Sequence, residues 1–465
     1  MKYRLGDICT IVKGTTGIMK AVPGPYPMVT LAQERKQHDE YQFDAAAVIV
    51  PLISSTGHGH ASIKRIHYQE GKFALGTILC AVIPKGESLL NPRYLFIYLQ
   101  QLKDSVLVPL MKGAANVSLP LNKLASLEIE VPSLTKQQEV IDLAHTLTGY
   151  KNDLETLLDT QEADTIKLRQ ALLRDAMQGQ LLPQDPTDEP AALLLKKLQA
   201  TKAAMVKGGK SKAGTLFAEE AGATKELFDV PEQWKWCQFN IIVESSLSGL
   251  ERSRELQSQL GAFAYLKMND ILEFGQCNNT GLARVSADEE EVLKYSLSEG
   301  DFLFNTRNSR ELVGKSCVFT GSDTNTLFNN NILRVRFRTG VLSSFVNYFF
   351  ASHFAKEELY LLASATTNVA AIYQGQLMAF PVPLPPLAEQ HRIVAKLEQL
   401  LQHCDALEQR IRESRRLAEQ LLQTALREAL APSAGTEEAT EEITTEPGPS
   451  THRRGAQLAL TDLFE

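Results

Sequence analysis

Two stretches of the chain repeat an apolar position in steps of three and four residues for longer than a surface helix does. From Ile393 the series runs through Leu397, Leu400, Cys404, Leu407 and Ile411, then Ser414, Ala418, Leu421 and Ala425. From Val140 it runs through Ala144, Leu147, Lys151, Leu154 and Leu158, then Gln161, Thr165, Leu168 and Leu172. Such spacing puts one apolar seam along a helix, the pattern of a coiled coil. It predicts two helices of about 44 residues, roughly 65 Å each at 1.5 Å per residue. A helix lying on a globular core usually stops after about 8 to 20 residues. Neither stretch contains proline, Gly149 is the one internal glycine, and Gly179 marks the end of the first.

The two helices are copies of each other. "LPPLAEQHRIVAKLEQLLQHCDALEQRI" (Leu384 to Ile411) lies 253 positions after "VPSLTKQQEVIDLAHTLTGYKNDLETLL" (Val131 to Leu158). Pro132 matches Pro385, Leu134 matches Leu387, Gln137 matches Gln390, and Leu154-Glu155 matches Leu407-Glu408. What precedes them also repeats. "NPRYLFIYLQ" has the pattern of "LSSFVNYFFA", and "RLGDICTIVKG" parallels "QFNIIVESSLSG". "GAANVSLPLNKLASLEIEVPSL" lies over "ATTNVAAIYQGQLMAFPVPLPPL", which pairs Asn116-Val117 with Asn368-Val369.

Short β-branched and aromatic runs (Ala47 to Ile53, Thr77 to Ile83, Phe302 to Asn305, Ile332 to Phe337) read as strands. The expected fold is α+β: two tandem mixed α+β domains and a pair of long antiparallel coiled-coil helices, with pseudo-two-fold symmetry. The divisions fall at 1–133 (first domain), 134–200 (first long helix and spacer region) and 201–230 (flexible linker, around "VKGGKSKAG"). They continue at 231–385 (second domain), 386–430 (second long helix) and 431–465 (acidic tail, expected to be disordered). For "LALTDLFE", at the end of that tail, a short binding motif and no separate role both stay open. Antiparallel helices would place a head at each end of a rod. Such an object suits a target with two separated half-sites, as duplex DNA offers.

Composition narrows the class without choosing the ligand. A length of 465 residues suggests about two to four domains. No apolar run of about 18 residues is present, so no membrane span is expected, and the N-terminus lacks an apolar signal core. The six cysteines are scattered with no C-x-x-C pair, which fits buried thiols in a reducing cytoplasm. The net charge of −7 is concentrated in residues 431–465, which hold seven acidic residues against two arginines. Residues 1–133 hold 14 Lys/Arg against 10 Asp/Glu. The sum therefore neither excludes DNA nor argues for it.

No complete enzyme motif is found. "MVKGGKSK" lacks the first glycine of a P-loop, with Ala204 in its place. "NPRY" has Arg93 where an amino-methyltransferase loop has a second proline, and reads as the start of a packing helix. His58, His60 and His67 have no Asp, Glu or Cys among them to complete a metal site.

The stretch "STGHGHASIKRIH" is more informative as a DNA loop. Gly57 and Gly59 allow close backbone approach, and Ser54, Ser55, Thr56, His58, His60, Lys64 and Arg65 supply donors. The repeat puts Asn305, Arg307, Asn308, Ser309, Arg310 and Lys315 in the equivalent loop of the second half. Arg suits guanine O6/N7 and Asn suits adenine N6/N7. An ordinary solvated loop remains the other reading, and Asn116 and Asn368 read equally as turn residues.

With these motifs on view, the chain resembles the specificity (S) subunit of type I restriction–modification systems. "LPPLAEQHRIVAKL" resembles that family's second conserved helix start, and Leu168 to Ala200 the region after its first helix. "PEQWKW" resembles the lead-in to the second recognition domain, and "NTRNSRELVGKS" a loop of such domains. The departures are Thr135-Lys136-Gln137-Gln138 in the first copy, against Ala388-Glu389-Gln390-His391 in the second, and the acidic tail. The resemblance implies a non-catalytic DNA-binding subunit that binds no cofactor itself. Each recognition domain would read one half of a bipartite target in double-stranded DNA. The helix pair would set the unread spacer and dock two modification (methyltransferase) subunits, which use S-adenosylmethionine to methylate adenine. Two restriction subunits, using ATP and Mg²⁺, would complete the nuclease. A specificity subunit of a two-component type II enzyme, a coiled-coil protein adaptor and an enzyme acting alone are the competing readings.

Overall fold

Both seam-bearing stretches are single helices of 44 residues, Leu134–Met177 and Leu387–Leu430. The structure is a computed structural model that describes residues 1–17, 22–56, 60–113, 117–207, 224–257, 260–321, 325–365 and 369–431. It divides into two units. One holds Met1–Lys151 and the chain from Glu419 onward; the other holds Asn152–Ala418. Each unit thus contains a mixed α+β head and a part of both long helices.

The first head is built from β1 (Lys2–Arg4), α1 (Leu5–Ile8), β2 (Cys9–Lys13), β3 (Tyr26–Val29), β4 (Lys36–His38), β5 (Phe43–Asp44) and β6 (Ala47–Pro51). It continues with β7 (His67–Gln69), β8 (Lys72–Leu75), β9 (Leu79–Pro84), α2 (Pro92–Val106), α3 (Leu121–Ala125), β10 (Glu128–Glu130) and the long helix α4 (Leu134–Met177). The sheets are ordered β2-β9-β6-β7 and β4-β3-β8-β5, and β1 pairs with β10. The run Ala47-Val48-Ile49-Val50 is buried on both faces because it divides two cores. Val48 and Val50 face one apolar cluster with Cys80 and Val82, while Ala47 and Ile49 face another with Leu79 and Ala81. Alternation along a strand sends its neighbours to opposite sides. "NPRY" does begin a helix: Asn91 Oδ1 accepts from the Arg93 N–H at 2.9 Å, and Pro92 takes the first turn.

In the second unit α4 is followed by α5 (Ala191–Lys207), which runs seven residues into the stretch expected as linker. Then come β11 (Lys235–Gln238), α6 (Phe239–Ile242), β12 (Val243–Ser248), β13 (Phe263–Leu266), β14 (Ala283–Val285), α7 (Glu289–Tyr295) and β15 (Phe302–Asn305). Next are β16 (Arg307–Asn308), β17 (Ser316–Val318), β18 (Thr326–Phe328), β19 (Ile332–Phe337), α8 (Ser343–Ala351) and α9 (His353–Leu362). The head closes with β20 (Ser364–Ala365), β21 (Ala370–Ala371), α10 (Gln374–Met378), β22 (Pro381–Leu384) and the long helix α11 (Leu387–Leu430). Its sheet β12-β19-β15-β17 repeats the larger sheet of the first head, β14-β13-β18 repeats the smaller one without a counterpart of β5, β16-β21-β20 is an addition, and β11 pairs with β22 as β1 does with β10. The parallel pair in each smaller sheet, β3 with β8 and β13 with β18, repeats as well.

The long helices lie antiparallel within each unit. In the second, Arg415 reaches Asp159 at 2.5 Å and Glu162 at 2.9 Å, while Arg169 binds Asp405 and Glu408. In the first, Lys151 pairs with Glu419, and Leu430 packs in one apolar cluster with Val140. The seam departs from the expected heptads. Val140, Ala144, Leu158 and Thr165 are buried as expected, but then Arg169 and Leu173 take the places expected of Leu168 and Leu172. In α11 Leu407 is 42% exposed and Leu421 70% exposed, whereas Leu401, Cys404 and Ile411 are buried. A straight helix has 3.6 residues per turn, so a 3.5-residue pattern drifts by about 20° per heptad. By Leu168, four heptads after Val140, the contact has passed to the neighbouring Arg169.

Candidate nucleic-acid interface

In each head one loop leaves an inner strand of the larger sheet and returns as its edge strand. In the first head it is residues 52–66, between β6 and β7; in the second it is 306–315, between β15 and β17. Ladder registers make the two loops equivalent. Val48 stands opposite Val82 as Phe302 stands opposite Val335. The Leu119 N–H donates to the Leu52 carbonyl at 2.9 Å, and the Ile372 N–H donates to the Thr306 carbonyl at 3.0 Å. Ile53 bridges Ser118 as Arg307 pairs with Ala371.

The same registers move the expected Asn-Val pairing by one residue. Val117 corresponds to Ala370, and both are buried, while Val369 is 54% exposed. Backbone hydrogen bonds set register, and a two-residue identity does not override them. Asn116 and Asn368 themselves lie outside the described residues, as do Gly57, His58 and Gly59.

The first-head loop uses its hydroxyls to brace itself. Ser54 Oγ donates to the His60 carbonyl at 2.5 Å and Thr56 Oγ1 donates to it at 3.1 Å. Ser55 Oγ accepts from the Lys64 N–H at 2.8 Å. His60 and Lys64 are exposed, and the half-buried Arg65 donates to Gln33 Oε1 at 3.2 Å. In the second head Asn305 is wholly buried, and its Oδ1 accepts from the Arg307 N–H at 3.1 Å. Asn308 Oδ1 accepts from the Ser309 N–H at 2.9 Å. Arg307 and Arg310 are exposed; Arg310 lies 4.4 Å from the centre of the Tyr360 ring. Lys315 stands 3.7 Å from Glu273.

Beside the first loop the structure gathers residues that sequence reading missed. Arg35, from the β3–β4 turn, donates to Gln69 Oε1 at 3.0 Å, to the Tyr68 carbonyl at 3.3 Å and to His67 Nδ1 at 3.2 Å. Burial first, and then the charges of Arg35 and Arg65, push the His67 imidazole down to about 4. It is therefore neutral at pH 7 and leaves the positive charge with the arginines. The sequence carries no signal for this cluster, because Arg35 is more than 30 residues from His67 and Gln69 in the chain. Among the described residues no group of three or more His, Cys, Asp or Glu is placed to hold a metal ion.

The duplicated helix starts also acquire a purpose. Gln137 Oε1 accepts from the Asn91 N–H at 2.8 Å, and its Nε2 donates to the carbonyls of Leu89 and Pro132 at 2.9 and 3.0 Å. Gln390 does the same in the second head, with the Leu342 N–H at 2.9 Å and the carbonyls of Gly340 and Pro385 at 3.3 and 3.1 Å. Both amides are wholly buried. Each ties the start of a long helix to the start of its head's packing helix. The neighbouring residues differ with reason. Lys136 is exposed, whereas Glu389 is buried and accepts from Trp234 Nε1 at 2.9 Å and Gln184 Nε2 at 2.5 Å. Burial raises the Glu389 carboxyl above its usual range. Arg392 holds Asp188 through two bonds of 3.1 and 2.6 Å.

Comparison with known proteins gives consistent relatives. The family described as the type I restriction modification DNA specificity domain matches residues 1–162 and 263–414. The EcoAI specificity subunit of Escherichia coli is 29% identical over 300 residues, 63% of this chain and 50% of its own. The EcoEI specificity subunit of the same species is 26% identical over 311 residues, 64% of this chain and 51% of its own. The chain thus spans about half the length of these curated relatives. A chain from a solved structure of a type I R-M system aligns with a TM-score of 0.57 at 17% identity, covering 92% of this chain and 97% of that one. That likeness is one of fold. Among the described residues no helix is long and apolar enough to cross a membrane.

Proposed function

The chain belongs to the type I restriction modification DNA specificity family, and on that premise we propose that it is the DNA-reading subunit of a type I restriction–modification complex. The observation that supports this best is the loop pair. Two heads of one topology present polar, partly basic loops at the same ladder position, and the loops differ almost completely in residue type. Repeated scaffolds with different readers suit a target of two unlike halves. His60, Lys64 and Arg65, with Arg35 beside them, face one half-site, and Arg307 and Arg310 face the other. Ser54, Ser55, Thr56, Asn305 and Asn308 hold the loops in shape, and Lys315 is steadied by Glu273.

The subunit performs no chemistry of its own. It works with two modification subunits, which bring S-adenosylmethionine, and two restriction subunits, which bring ATP and Mg²⁺. The paired long helices set the distance between half-sites. The experiment is co-expression with the modification subunit, followed by methylation-sensitive sequencing. The reading expects one bipartite motif with a constant gap. A continuous motif, or methyl transfer by the purified chain alone, would sink it.

A further inference from the structure

In the second unit, the chain that follows α4 returns to cover the end of that helix and one face of the head. Residues 224–230, "TKELFDV", take part in this cover. The Phe228 ring packs against Trp236 at 4.9 Å and Phe354 at 4.2 Å between centroids, and Lys225 reaches Glu358 at 2.6 Å. Leu227 and Val230 pack on the same core, in which Leu173, Ala176 and Met177 are buried.

The first unit has a related place, with Lys2 at the ladder position of Trp236, and it is less well covered. Leu426 is buried there as its counterpart Leu173 is. Ala429 and Leu430, the counterparts of Ala176 and Met177, are only partly buried. Tyr3 occupies the ladder position of the buried Cys237, since Ile129 faces the one and Val382 the other. Tyr98, counted from the residue whose N–H the helix-start glutamine accepts, matches the buried Phe349. Both tyrosines are half-buried. Four positions that are closed in one unit are therefore partly open in the other.

The chain carries a second copy of the covering motif. Asp462-Leu463-Phe464-Glu465 repeats the acid-Leu-Phe-acid of Glu226-Leu227-Phe228-Asp229, with Thr461 and Thr224 just upstream. It follows α11 as the first follows α4. We propose that Leu463 and Phe464 dock on the first head over Tyr3, Tyr98, Ala429 and Leu430. The tether allows it. A random-coil chain of about 30 residues spans ~30 Å on average, and the Ser/Thr/Glu/Pro-rich stretch after Ala431 begins beside the face it would cover. Linkage within one chain supplies an effective concentration of roughly millimolar order, so a small contact is enough.

The test uses the full chain with Phe464 replaced by the photo-crosslinking residue p-benzoylphenylalanine. Cross-links within one chain should fall on residues 1–5, 94–103 or 426–431. Links to a second copy, links to the second head, or links scattered over the surface would overturn the proposal. Hydrogen exchange supplies an independent reading. Leu463→Ala with Phe464→Ala should speed exchange several-fold in β1 and α2 and leave the second unit unchanged, while Phe464→Tyr keeps protection. Unaltered exchange in β1 and α2 would count against docking.

Discussion

A single amide illustrates how the smallest scale carries the fold. Gln390 makes three hydrogen bonds with no exposure, and only a side chain that both donates and accepts can do so. Gln390→Leu would leave the Leu342 N–H and two carbonyls buried without their partner. Each such group costs about 1–3 kcal/mol, so urea unfolding of the second unit should shift by at least that amount. Gln390→Glu should not rescue it, because a carboxylate cannot donate. His67 gives a pH signature. Its pKa in the fold is about 4, against 6.5 for the unfolded chain. The unfolded state therefore takes up the proton first, so the contribution of His67 is whole above about pH 6.5. It is lost progressively as pH falls towards 4. Thermal melts of the first unit should weaken over that interval, and His67→Phe should flatten the dependence. At the proposed reading loop of the second head, Arg307→Ala should relax one half-site alone, by about 1–3 kcal/mol if the contact is two-bonded to guanine. Equal loss in both halves, seen by binding to variant duplexes, would contradict separate readers.

At the scale of elements, the buried seam of the long helices does not keep to strict heptads. A strict heptad would make Leu407 and Ile411 equivalent, yet one is 42% exposed and the other 5%. Ile411→Ala should thus cost about 2–5 kcal/mol, and Leu407→Ala well under half of that. Chemical denaturation of the two variants side by side checks this; equal losses would restore the heptad picture. The buried Arg169 follows from the same drift. It enters the seam where Leu168 was expected and is accommodated because Asp405 and Glu408 lie across from it and the Phe274 ring lies 5.6 Å away.

The scale of the whole molecule is where the proposed ruler can be tried. Seven residues added to each helix preserve the seam and lengthen the pair by about 10.5 Å, close to three base pairs at 3.4 Å each. The additions belong at facing positions, after Glu155 in α4 and after Leu417 in α11, between the Lys151–Glu419 and Asp159–Arg415 pairs. Methylation-sensitive sequencing should then show the same half-sites with a gap about three base pairs longer. Altered half-sites with the old gap would mean that the helices do not measure the spacer.

Local periodicity was enough to place the long helices, because spacing along one helix is a property of neighbouring residues. Both 44-residue spans, the duplication and the equivalence of the two loops are legible in the chain. Sequence also marked Gln137 and Gln390 as a pair, though not their use. What escaped it depends on residues far apart. The drift of the seam emerges only when a second helix lies alongside. The one-residue correction at Val117 comes from hydrogen bonds between strands, and the neutrality of His67 from burial beside Arg35 and Arg65, which reach it from separate loops. The hydrogen bonds that Ser54, Ser55 and Thr56 make to the backbone of their own loop likewise appear only in the folded chain. Periodic patterns record which face of an element is buried, while register, pairing and charge state are settled by partners that only the tertiary structure brings together.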